Sequence, residues 1–138
     1  MKILVDTNIF LDILLQRKPL FKDSQRVFKL VENQLAEGFI APITINNIVY
    51  IARKSHQQDR IKNFITAMSD TFEICQMNSD IVRQAIKLHF SDFEDALQAS
   101  MAAAHHCNVI ITSNISDYQH SPVPAIAANE FLSQFQFS

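Results

Sequence analysis

Glycine is nearly absent from this chain of 138 residues, and its scarcity excludes whole classes of ligand site. The single glycine is Gly38. Loops that cradle phosphate groups need several glycines, because the backbone amides must come close to the ligand. A P-loop and a dinucleotide-binding fingerprint are therefore excluded.

Cysteines and long apolar segments are also scarce. Cys75 and Cys107 lack the close spacing of a metal site and are too few for a disulfide framework, so we expect buried, reduced thiols. No stretch reaches the roughly 18 apolar residues that would cross a bilayer. The apolar run at the N-terminus is too short to resemble a signal peptide. We expect one cytoplasmic domain over residues 1–138.

Positive charge is missing from the last third of the chain. All twelve Lys and Arg residues lie between Lys2 and Lys87, five acids follow, and the formal net charge is −2. This asymmetry suits a cation-binding cleft beside a basic rim that contacts phosphate, but chance composition explains it equally well. An ordinary solvent-exposed face is the simpler interpretation of the basic residues. The candidate phosphate contacts among them are Arg17, Lys22, Arg26 and Arg53.

Short apolar runs alternate with amphipathic segments, which predicts a parallel β-sheet with helices on both faces. The predicted strands cover residues 2–6, 39–41, 71–75 and 109–112, with a short edge strand at 124–126. The predicted helices cover residues 7–16, 20–37, 44–55, 59–69, 79–89 and 92–106, with a final helix around Phe131. Gly38 is expected to end the second helix, and Thr7 or Asn8 to cap the first.

Polar side chains follow the carboxyl ends of the predicted strands, where ligands bind in open parallel sheets. Asp6 follows the first strand directly, and Asn114 and Asp117 follow the fourth in the segment TSNISDY. The segment SDFEDALQASMAAAHH opens with acids and continues with small residues, so its helix can lie close to the sheet and bring Asp95 near Asp6. Asp92 shares a face with Asp95, and helix capping explains one of the three acids Asp92, Glu94 and Asp95 but does not readily explain all three.

Several carboxylates at one rim repel each other, and they stay ionised together only when a cation lies among them. All-oxygen ligands suit Mg²⁺ or Mn²⁺ rather than zinc. A divalent ion held by carboxylates activates water and stabilises the charge that develops on a phosphodiester. The residues therefore predict metal-assisted phosphodiester hydrolysis, which needs no nucleophilic Ser or Cys.

Three motifs carry a resemblance to a known family. DTNIFLD near the N-terminus, DFEDALQA in the second half and VIITSNISDY after it are similar, in order and spacing, to motifs of the PIN-domain ribonucleases, which include bacterial toxins of the VapC type. The resemblance covers essentially the whole chain. It implies a three-layer α/β/α sandwich with a short parallel sheet of about four to five strands. It also implies a Mg²⁺ or Mn²⁺ site, an RNA substrate, and often a homodimer that a small antitoxin protein inhibits.

The resemblance also implies roles for individual residues. Asp6, Asp95 and Asp117 match the family's metal-binding acids, and Asn114 stands where many members have an acid. The family usually has a Glu early in the third helix, and here that position falls on Asn47, which lowers the negative charge of the site. The residues expected to act as secondary ligands or orienting groups are Asn47, Asp92, Thr7, Asn8 and Thr112.

Three functional hypotheses follow from these observations. The first is a metal-dependent endoribonuclease, with the toxin of a toxin–antitoxin pair as its expected setting. The second is a catalytically weakened PIN-like module that binds RNA or a protein partner without cleavage, which Asn47 and Asn114 favour. The third is a receiver-like phospho-acceptor domain, but such domains need a late lysine and no lysine follows Lys87.

Other polar and aromatic residues are assigned structural roles. His105 and His106 are adjacent on a helix, so they point apart and cannot grip one metal ion. Asp12 is expected on a solvent-exposed face. The phenylalanines near the C-terminus are expected to pack in the core or tail, with a dimer or antitoxin surface as the alternative. They are Phe131, Phe135 and Phe137.

Overall fold

The computed structural model describes residues 1–135, which form a five-stranded, entirely parallel β-sheet surrounded by helices. The strands are β1 (Lys2–Val5), β2 (Glu37–Ile40), β3 (Glu73–Ile74), β4 (Val109–Ile111) and β5 (Ala125–Ile126). The helices are α1 (Thr7–Leu14), α2 (Phe21–Glu32), α3 (Pro42–Ala52), α4 (Gln58–Thr71), α5 (Ser79–Lys87), α6 (Phe93–Ala104) and α7 (Ala128–Ser133), with a single 3₁₀ turn at Ile115–Tyr118. The predicted α/β fold with a short parallel sheet is confirmed.

The strand order β3-β2-β1-β4-β5 places β1 at the centre of the sheet. The chain builds outward from β1 through β2 to β3, then crosses over to β4 on the other side. Val5 pairs with Ile111, so the carboxyl ends of β1 and β4 are level. Asp6 and Thr112 are the next residues of the two strands and therefore lie side by side. The reversal point of an open parallel sheet is the usual place for a ligand.

Apolar side chains pack on both faces of the sheet, which explains the continuous apolar runs of its central strands. Ile3 and Val5 pack with residues of α1, α2, α3 and α7 on one face. Leu4 points to the other face and packs with α5 and α6. All three side chains are fully buried, and each stabilises the fold by about 1.5–3 kcal/mol. The sheet between two helical layers makes the three-layer α/β/α sandwich.

Small residues on α6 allow this helix to lie close to the sheet, as the sequence predicts. Ala99 and Ala102 are fully buried and belong to the cluster around Leu4. The Ser100 hydroxyl donates to the carbonyl oxygen of Ile81 on α5 at 2.7 Å, which ties the two helices together. A larger side chain at Ala99 would force the helix outward, at a cost of about 1–3 kcal/mol. The packing of α6 therefore controls where its first turn lies.

The predicted end of the second helix is wrong. Helix α2 ends at Glu32 rather than near residue 37, and Gln34 takes a left-handed backbone conformation with φ of 62° just beyond it. Gly38 therefore lies inside β2 instead of ending a helix. A Cβ atom at Gly38 would overlap the ring of Phe72 and lie 2.8 Å from Val31. The glycine is needed because the chain packs so closely there.

Two helix starts also differ from the prediction. Helix α1 is capped by Asp6, whose side chain accepts a hydrogen bond from the Thr7 backbone, so neither Thr7 nor Asn8 is the cap. Helix α3 begins at Pro42 rather than Thr44. Proline suits the first position of a helix, because its fixed φ is helical and the N–H that it lacks would have no partner there.

Asp12 is buried, so the prediction of a solvent-exposed Asp12 is wrong. Its side chain accepts a hydrogen bond from the Ser24 hydroxyl at 3.1 Å and lies 3.9 Å from the Arg17 guanidinium. Burial raises the pKa of Asp12, while Ser24 and Arg17 act to lower it. The prediction failed because α2 packs over this face of α1, which the pattern of α1 alone does not reveal.

The cysteines and His105 have the structural environments that were expected. Cys75 and Cys107 are buried and free. Burial is the main cause that raises the pKa of Cys75 to about 12 and that of Cys107 to about 11. The Nε2 atom of His105 accepts a hydrogen bond from the backbone of Gln76 at 3.2 Å, and its ring packs edge-on against Phe39.

The C-terminal aromatic residues pack inward where the structure describes them. Phe131 is fully buried, and the ring of Phe135 lies 4.9 Å from it between centroids. Phe137 lies outside the described residues. Within residues 1–135, every helix is too short or too polar to cross a membrane.

Candidate active site

Three hydrogen bonds hold the carboxylate of Asp6 at the end of β1. Its Oδ1 atom accepts from the backbone N–H of Thr7 at 2.7 Å and from Nε2 of Gln98 at 3.0 Å. Its Oδ2 atom accepts from the Thr112 hydroxyl at 2.8 Å. Asp6 is only 5% exposed, and a buried acid is tolerated when protein donors replace water. The donors belong to α1, α6 and the end of β4, so the orientation of Asp6 is fixed by the fold.

Two threonines near Asp6 have different partners. The hydroxyl of Thr112 donates to Asp6 and accepts from the backbone N–H of Asn114 at 3.0 Å, which links the acid to the loop after β4. The hydroxyl of Thr7 lies 2.9 Å from that of Thr44 and ties α1 to α3. Asn8, beside Thr7, is half-buried. Thr112 is therefore placed to orient Asp6, whereas the Thr7 side chain holds two helices together.

Asp95 lies in the first turn of α6, close to several other acids. Asp92 caps this helix, and its Oδ1 atom accepts from the backbone of Glu94 at 2.8 Å and of Asp95 at 3.4 Å. The pKa of Asp95 is raised to about 6, first by burial and then by the charges of Asp6, Asp92 and Asp117. A hydrogen bond from a neighbouring tyrosine lowers this pKa, but by less than the other causes raise it. Asp95 therefore gains a proton more readily than an ordinary carboxyl group.

A chain of hydrogen bonds connects the two acids. The Gln98 amide nitrogen, bonded to Asp6, also donates to the hydroxyl of Tyr118 at 3.2 Å. That hydroxyl donates to Oδ1 of Asp95 at 3.2 Å. Burial, the two acids and Asp117 raise the pKa of Tyr118 well above its usual range, so this hydroxyl remains a donor.

Sequence analysis missed both neutral residues of this chain. Gln98 is a buried amide on a helix face that otherwise carries small apolar residues, and it follows Asp95 by three positions. Residues with this spacing lie on one helix face, which was an available signal. Tyr118 follows Asp117 directly in the loop after β4 and is buried. Its side-chain direction depends on the 3₁₀ turn, which the sequence did not predict.

Asn114 and Asp117 lie in the exposed loop after β4, at the margin of the site. The backbone N–H of Asp117 donates to the Asn114 carbonyl at 3.0 Å, which forms the turn. Asp117 is close enough for its charge to raise the pKa of Asp95. In the part of the chain that the structure describes, no three His, Cys, Asp or Glu side chains converge closely enough to hold a metal ion. The structure thus joins Asp6 and Asp95, with Asp117 nearby.

Asn47, where the resemblance implies a Glu, faces a carboxylate on another helix. Its Nδ2 atom donates to Oε2 of Glu94 at 3.4 Å, a long hydrogen bond between α3 and α6. Asn47 is half-buried and Glu94 is exposed. The sequence marked Glu94 as one of three acids at the start of this helix but assigned it no role in the site. The neutral Asn47 on α3 is therefore next to the charged Glu94 on α6.

The donor set of this site suits a divalent cation. Asp6 and Asp95 offer carboxylate oxygens, and the pKa of Asp95 is raised first by burial and then by neighbouring negative charge that a cation would neutralise. Within residues 1–135, the ion pairs of Lys and Arg involve Asp12 and Asp80 and not these acids. Mg²⁺ is commonly held by one or two carboxylates and several waters. Two acids that lie close together are therefore enough for a site of this kind.

The candidate phosphate contacts are all exposed, as an ordinary solvent face would be. Arg17 lies beside Asp12, and the Arg53 guanidinium lies 4.3 Å from the centre of the Tyr50 ring. Arg53 follows the last residue of α3, about 16 Å of helix away from Pro42 at the sheet edge. Arg53 therefore lies at the opposite end of α3 from that edge. The remaining candidates, Lys22 and Arg26, lie on the exposed side of α2.

The fold and the site define a class of protein: an α/β/α sandwich in which an acid at the carboxyl end of the central strand lies beside an acid in the first turn of a covering helix. The sequence matches the PIN domain family over residues 2–116. This chain therefore belongs to the PIN-domain family, and the resemblance noted from its motifs is confirmed.

Similar proteins agree with this assignment. Ribonuclease VapC1 of Aquifex aeolicus (strain VF5) is 23% identical over 139 residues, which cover 97% of this chain and 95% of the relative. DNA-bound VapBC from Salmonella typhimurium has a TM-score of 0.71 at 17% identity, covering 93% of this chain and 98% of that one. A toxin–antitoxin complex from Klebsiella pneumoniae has a TM-score of 0.67 at 24% identity, covering 91% and 96%. At these identities the solved structures establish the fold.

Proposed function

We propose that this protein is a metal-dependent endoribonuclease that hydrolyses RNA phosphodiester bonds. The proposal rests above all on the hydrogen-bonded chain that joins Asp6 to Asp95 at the carboxyl edge of the sheet. Membership of the PIN-domain family and the similarity to a ribonuclease support the choice of RNA as substrate. In this proposal Asp6, Asp95 and Asp117 hold Mg²⁺ or Mn²⁺, directly or through water.

The residues of the chain have distinct tasks in this reaction. When bound, the ion supplies activation of water and stabilisation of the charge that develops on the phosphodiester. Asp6 is oriented by Thr112 and provides a fixed carboxylate. Asp95 would bind the ion as a carboxylate, and a proton would compete for this position at low pH because the pKa of Asp95 is raised to about 6. The residues to which we assign secondary or orienting roles are Asn114, Asn47, Asp92, Thr7, Asn8 and Thr112.

Cleavage of a mixed RNA panel tests this proposal. Wild type, Asp6→Asn and the control Asp80→Asn are compared with Mg²⁺, with Mn²⁺ and with a chelator. Asp80 is an exposed acid paired with Arg83 on α5, so its charge is removed at another surface. We expect metal-dependent cleavage by wild type and the control, and a loss of more than about a hundredfold in Asp6→Asn, since loss of even an outer partner of a ligand costs about 10–100-fold. Absence of metal-dependent cleavage, or equal cleavage by Asp6→Asn, would contradict it.

A module that binds RNA without cutting it is the second candidate. Asn47 favours it, because a neutral amide stands where the resemblance implies a Glu and the site has less charge to hold a cation. A gel-shift measurement on the same RNA panel separates the two candidates. RNA that is retained by wild type and remains intact with Mn²⁺ would support the binding module.

We also propose that the protein is the toxin of a toxin–antitoxin pair, that it acts in the cytoplasm and that it forms a homodimer. Solved proteins of this fold include VapBC and toxin–antitoxin complexes, which supports a small protein partner. Where a neighbouring reading frame encodes a short protein, co-expression with that protein tests the partnership. Suppression of cleavage and co-purification are expected, and sedimentation of the free protein gives its oligomeric state.

A further inference from the structure

The side-chain amide of Gln98 links the two acids of the candidate site. Gln98 is 3% exposed and lies on α6, three residues after Asp95. Its nitrogen is 3.0 Å from Asp6 and 3.2 Å from the Tyr118 hydroxyl, which is 3.2 Å from Asp95. The connection between the acids therefore runs through two buried neutral side chains.

The available hydrogens fix the direction of every bond in this chain. An amide nitrogen carries two hydrogens, one for Asp6 and one for Tyr118, and the tyrosine hydroxyl has a single hydrogen, which is directed at Asp95. If the Gln98 amide were turned over, its carbonyl oxygen would face the Asp6 carboxylate and two acceptors would meet. The observed orientation is therefore the one that satisfies both acids.

This orientation leaves the carbonyl oxygen of Gln98 without a donor. Oε1 is buried and has no hydrogen-bond partner among the described residues. A buried acceptor without a donor lowers the stability of a fold, and such a group calls for an explanation in a native structure. The contacts of the Gln98 side chain with Asp6 and the Tyr118 hydroxyl account for its nitrogen but not for its oxygen.

We propose that Gln98 is a positioning residue that, together with Tyr118, holds the carboxylates of Asp6 and Asp95 in the relative orientation needed to bind a divalent cation. The inference rests on the proposed metal site and adds to it the residues that set its geometry. Gln98 acts through its two hydrogen bonds and does not itself contact the substrate. Outer partners of this kind usually change metal affinity or activity by about 10–100-fold.

The test compares Mn²⁺ binding by the full chain and three variants. Gln98→Met keeps the length of the side chain but removes both donors and the unsatisfied oxygen. Tyr118→Phe removes the hydroxyl and with it the bonds to Asp95 and Gln98, but it leaves the bond between Gln98 and Asp6. Gln84→Met, at an exposed position of α5, is the matched control. Free Mn²⁺ is followed by electron paramagnetic resonance, which reports affinity without any cleavage, and kcat and KM for RNA are measured separately.

We expect Mn²⁺ to bind about 10–100-fold more weakly to Gln98→Met and Tyr118→Phe than to wild type, with no change in Gln84→Met. The kcat should fall while KM for RNA stays constant, and the number of Mn²⁺ sites per chain should equal that of wild type, which a general loss of folding would not allow. The double variant should bind Mn²⁺ no more weakly than the single variant with the lower affinity. Both substitutions interrupt the same series of hydrogen bonds, so their effects should not add.

Two results would overturn the role of Gln98. One is a Gln98→Met protein whose Mn²⁺ affinity lies within twofold of wild type, and the other is fully additive losses in the double variant. If Gln98→Met does not fold, unchanged Mn²⁺ affinity in Tyr118→Phe overturns the proposal equally. If the wild-type protein binds no Mn²⁺, both the proposed metal site and this inference are wrong. If the wild type binds Mn²⁺ and substitutions of Gln98 and Tyr118 leave the affinity unchanged, only this inference is wrong.

Discussion

Asp6, at the end of β1, and Asp95, in the first turn of α6, differ in burial and in hydrogen-bond partners although one hydrogen-bonded chain joins them. Asp6 is 5% exposed and accepts three hydrogen bonds. Asp95 is half-buried, accepts one from Tyr118, and faces the charges of Asp6, Asp92 and Asp117. The sheet side of the site is therefore satisfied by the protein itself, whereas the helix side is short of positive charge and is the side that a cation would complete.

The position of each acid in the chain explains this difference. Asp6 lies where β1 passes into α1 beside β4, so backbone and side-chain donors from three elements surround it. Asp95 lies at a helix start, where the helix dipole attracts negative charge. The same attraction suits Asp92 and Glu94, so the first turn gathers acids that repel each other. Substitutions that weaken the support of Asp6 should therefore destabilise the protein, whereas removal of the charge at Asp95 should stabilise it.

Removal of the Thr112 hydroxyl should have the largest effect, because it weakens the support of the buried acid. In Thr112→Val, Asp6 loses its donor at Oδ2 and the Asn114 backbone loses its acceptor. We expect the free energy of unfolding to fall by about 2–3 kcal/mol, the usual value for hydrogen bonds to charged groups. Urea denaturation measures it. Thr44→Val is the control, since it breaks a neutral pair with Thr7 and should cost about 1 kcal/mol. Equal losses in both variants would contradict the special support of Asp6.

Removal of the charge at Asp95 should stabilise the protein instead of destabilising it. The pKa of Asp95 is raised from 3.8 to about 6, so its contribution to stability is fully present below pH 4 and is lost as the pH rises through about 6. Without divalent cations, Asp95→Asn should therefore raise Tm at pH 7 by about 3 °C, which corresponds to less than 1 kcal/mol.

Scanning calorimetry at pH 4 and at pH 7 tests this sign. The difference in Tm between wild type and Asp95→Asn should shrink towards pH 4, where the wild-type carboxyl group is protonated. Mn²⁺ should raise the Tm of wild type more at pH 7 than at pH 5, because a proton competes with the ion at Asp95. If Asp95→Asn were less stable than wild type at pH 7, the protein would stabilise the ionised carboxylate of Asp95, and the prediction would be wrong.

The sequence predicted the features that depend on local pattern. The run KILV must be buried on both faces, so it forms a central parallel strand, and the residue after it lies at the sheet edge. The small residues after Asp95 predicted close packing of α6. These two inferences were enough to place Asp6 and Asp95 near each other, because the topology of alternating strands and helices leaves few other arrangements.

The remaining features depend on contacts between distant parts of the chain. Gln98 and Tyr118 act on acids that lie 92 and 23 positions away along the chain. Gly38 is required by the ring of Phe72 and not by a helix end. The burial of Asp12 depends on where α2 lies. Side-chain direction at such positions follows from tertiary packing, so the pattern of a single segment does not determine it.

Addition of a carboxylate at residue 47 should increase the negative charge on the helix side of the site, where Asp95 lies. In Asn47→Glu, the hydrogen bond to Glu94 is replaced by repulsion between two carboxylates. We expect a loss of at most about 1 kcal/mol without metal, because Glu94 is exposed. Mg²⁺ should then raise Tm more than in wild type and increase cleavage, since the site offers one more charged ligand.

The control for this substitution is Asn46→Glu, one residue earlier on α3 and exposed. It adds the same charge to the same helix but on a different face. Equal Mg²⁺ responses of Asn46→Glu and Asn47→Glu would mean that net charge, and not the geometry of the site, controls the response.

Neutralisation of Asp92 should have the smallest effect and separates its two roles at the start of α6. Asp92→Asn keeps a good capping residue while it removes one of the charges that raise the pKa of Asp95. The pKa of Asp95 should fall, and the pH at which stability is lost should fall with it, as ¹³C NMR of the carboxyl group would show. Asp92→Ala also removes the cap and should cost about 1 kcal/mol more, with the same change at Asp95. If only Asp92→Ala moves the titration of Asp95, the backbone hydrogen bonds of the cap control this acid and the charge of Asp92 does not.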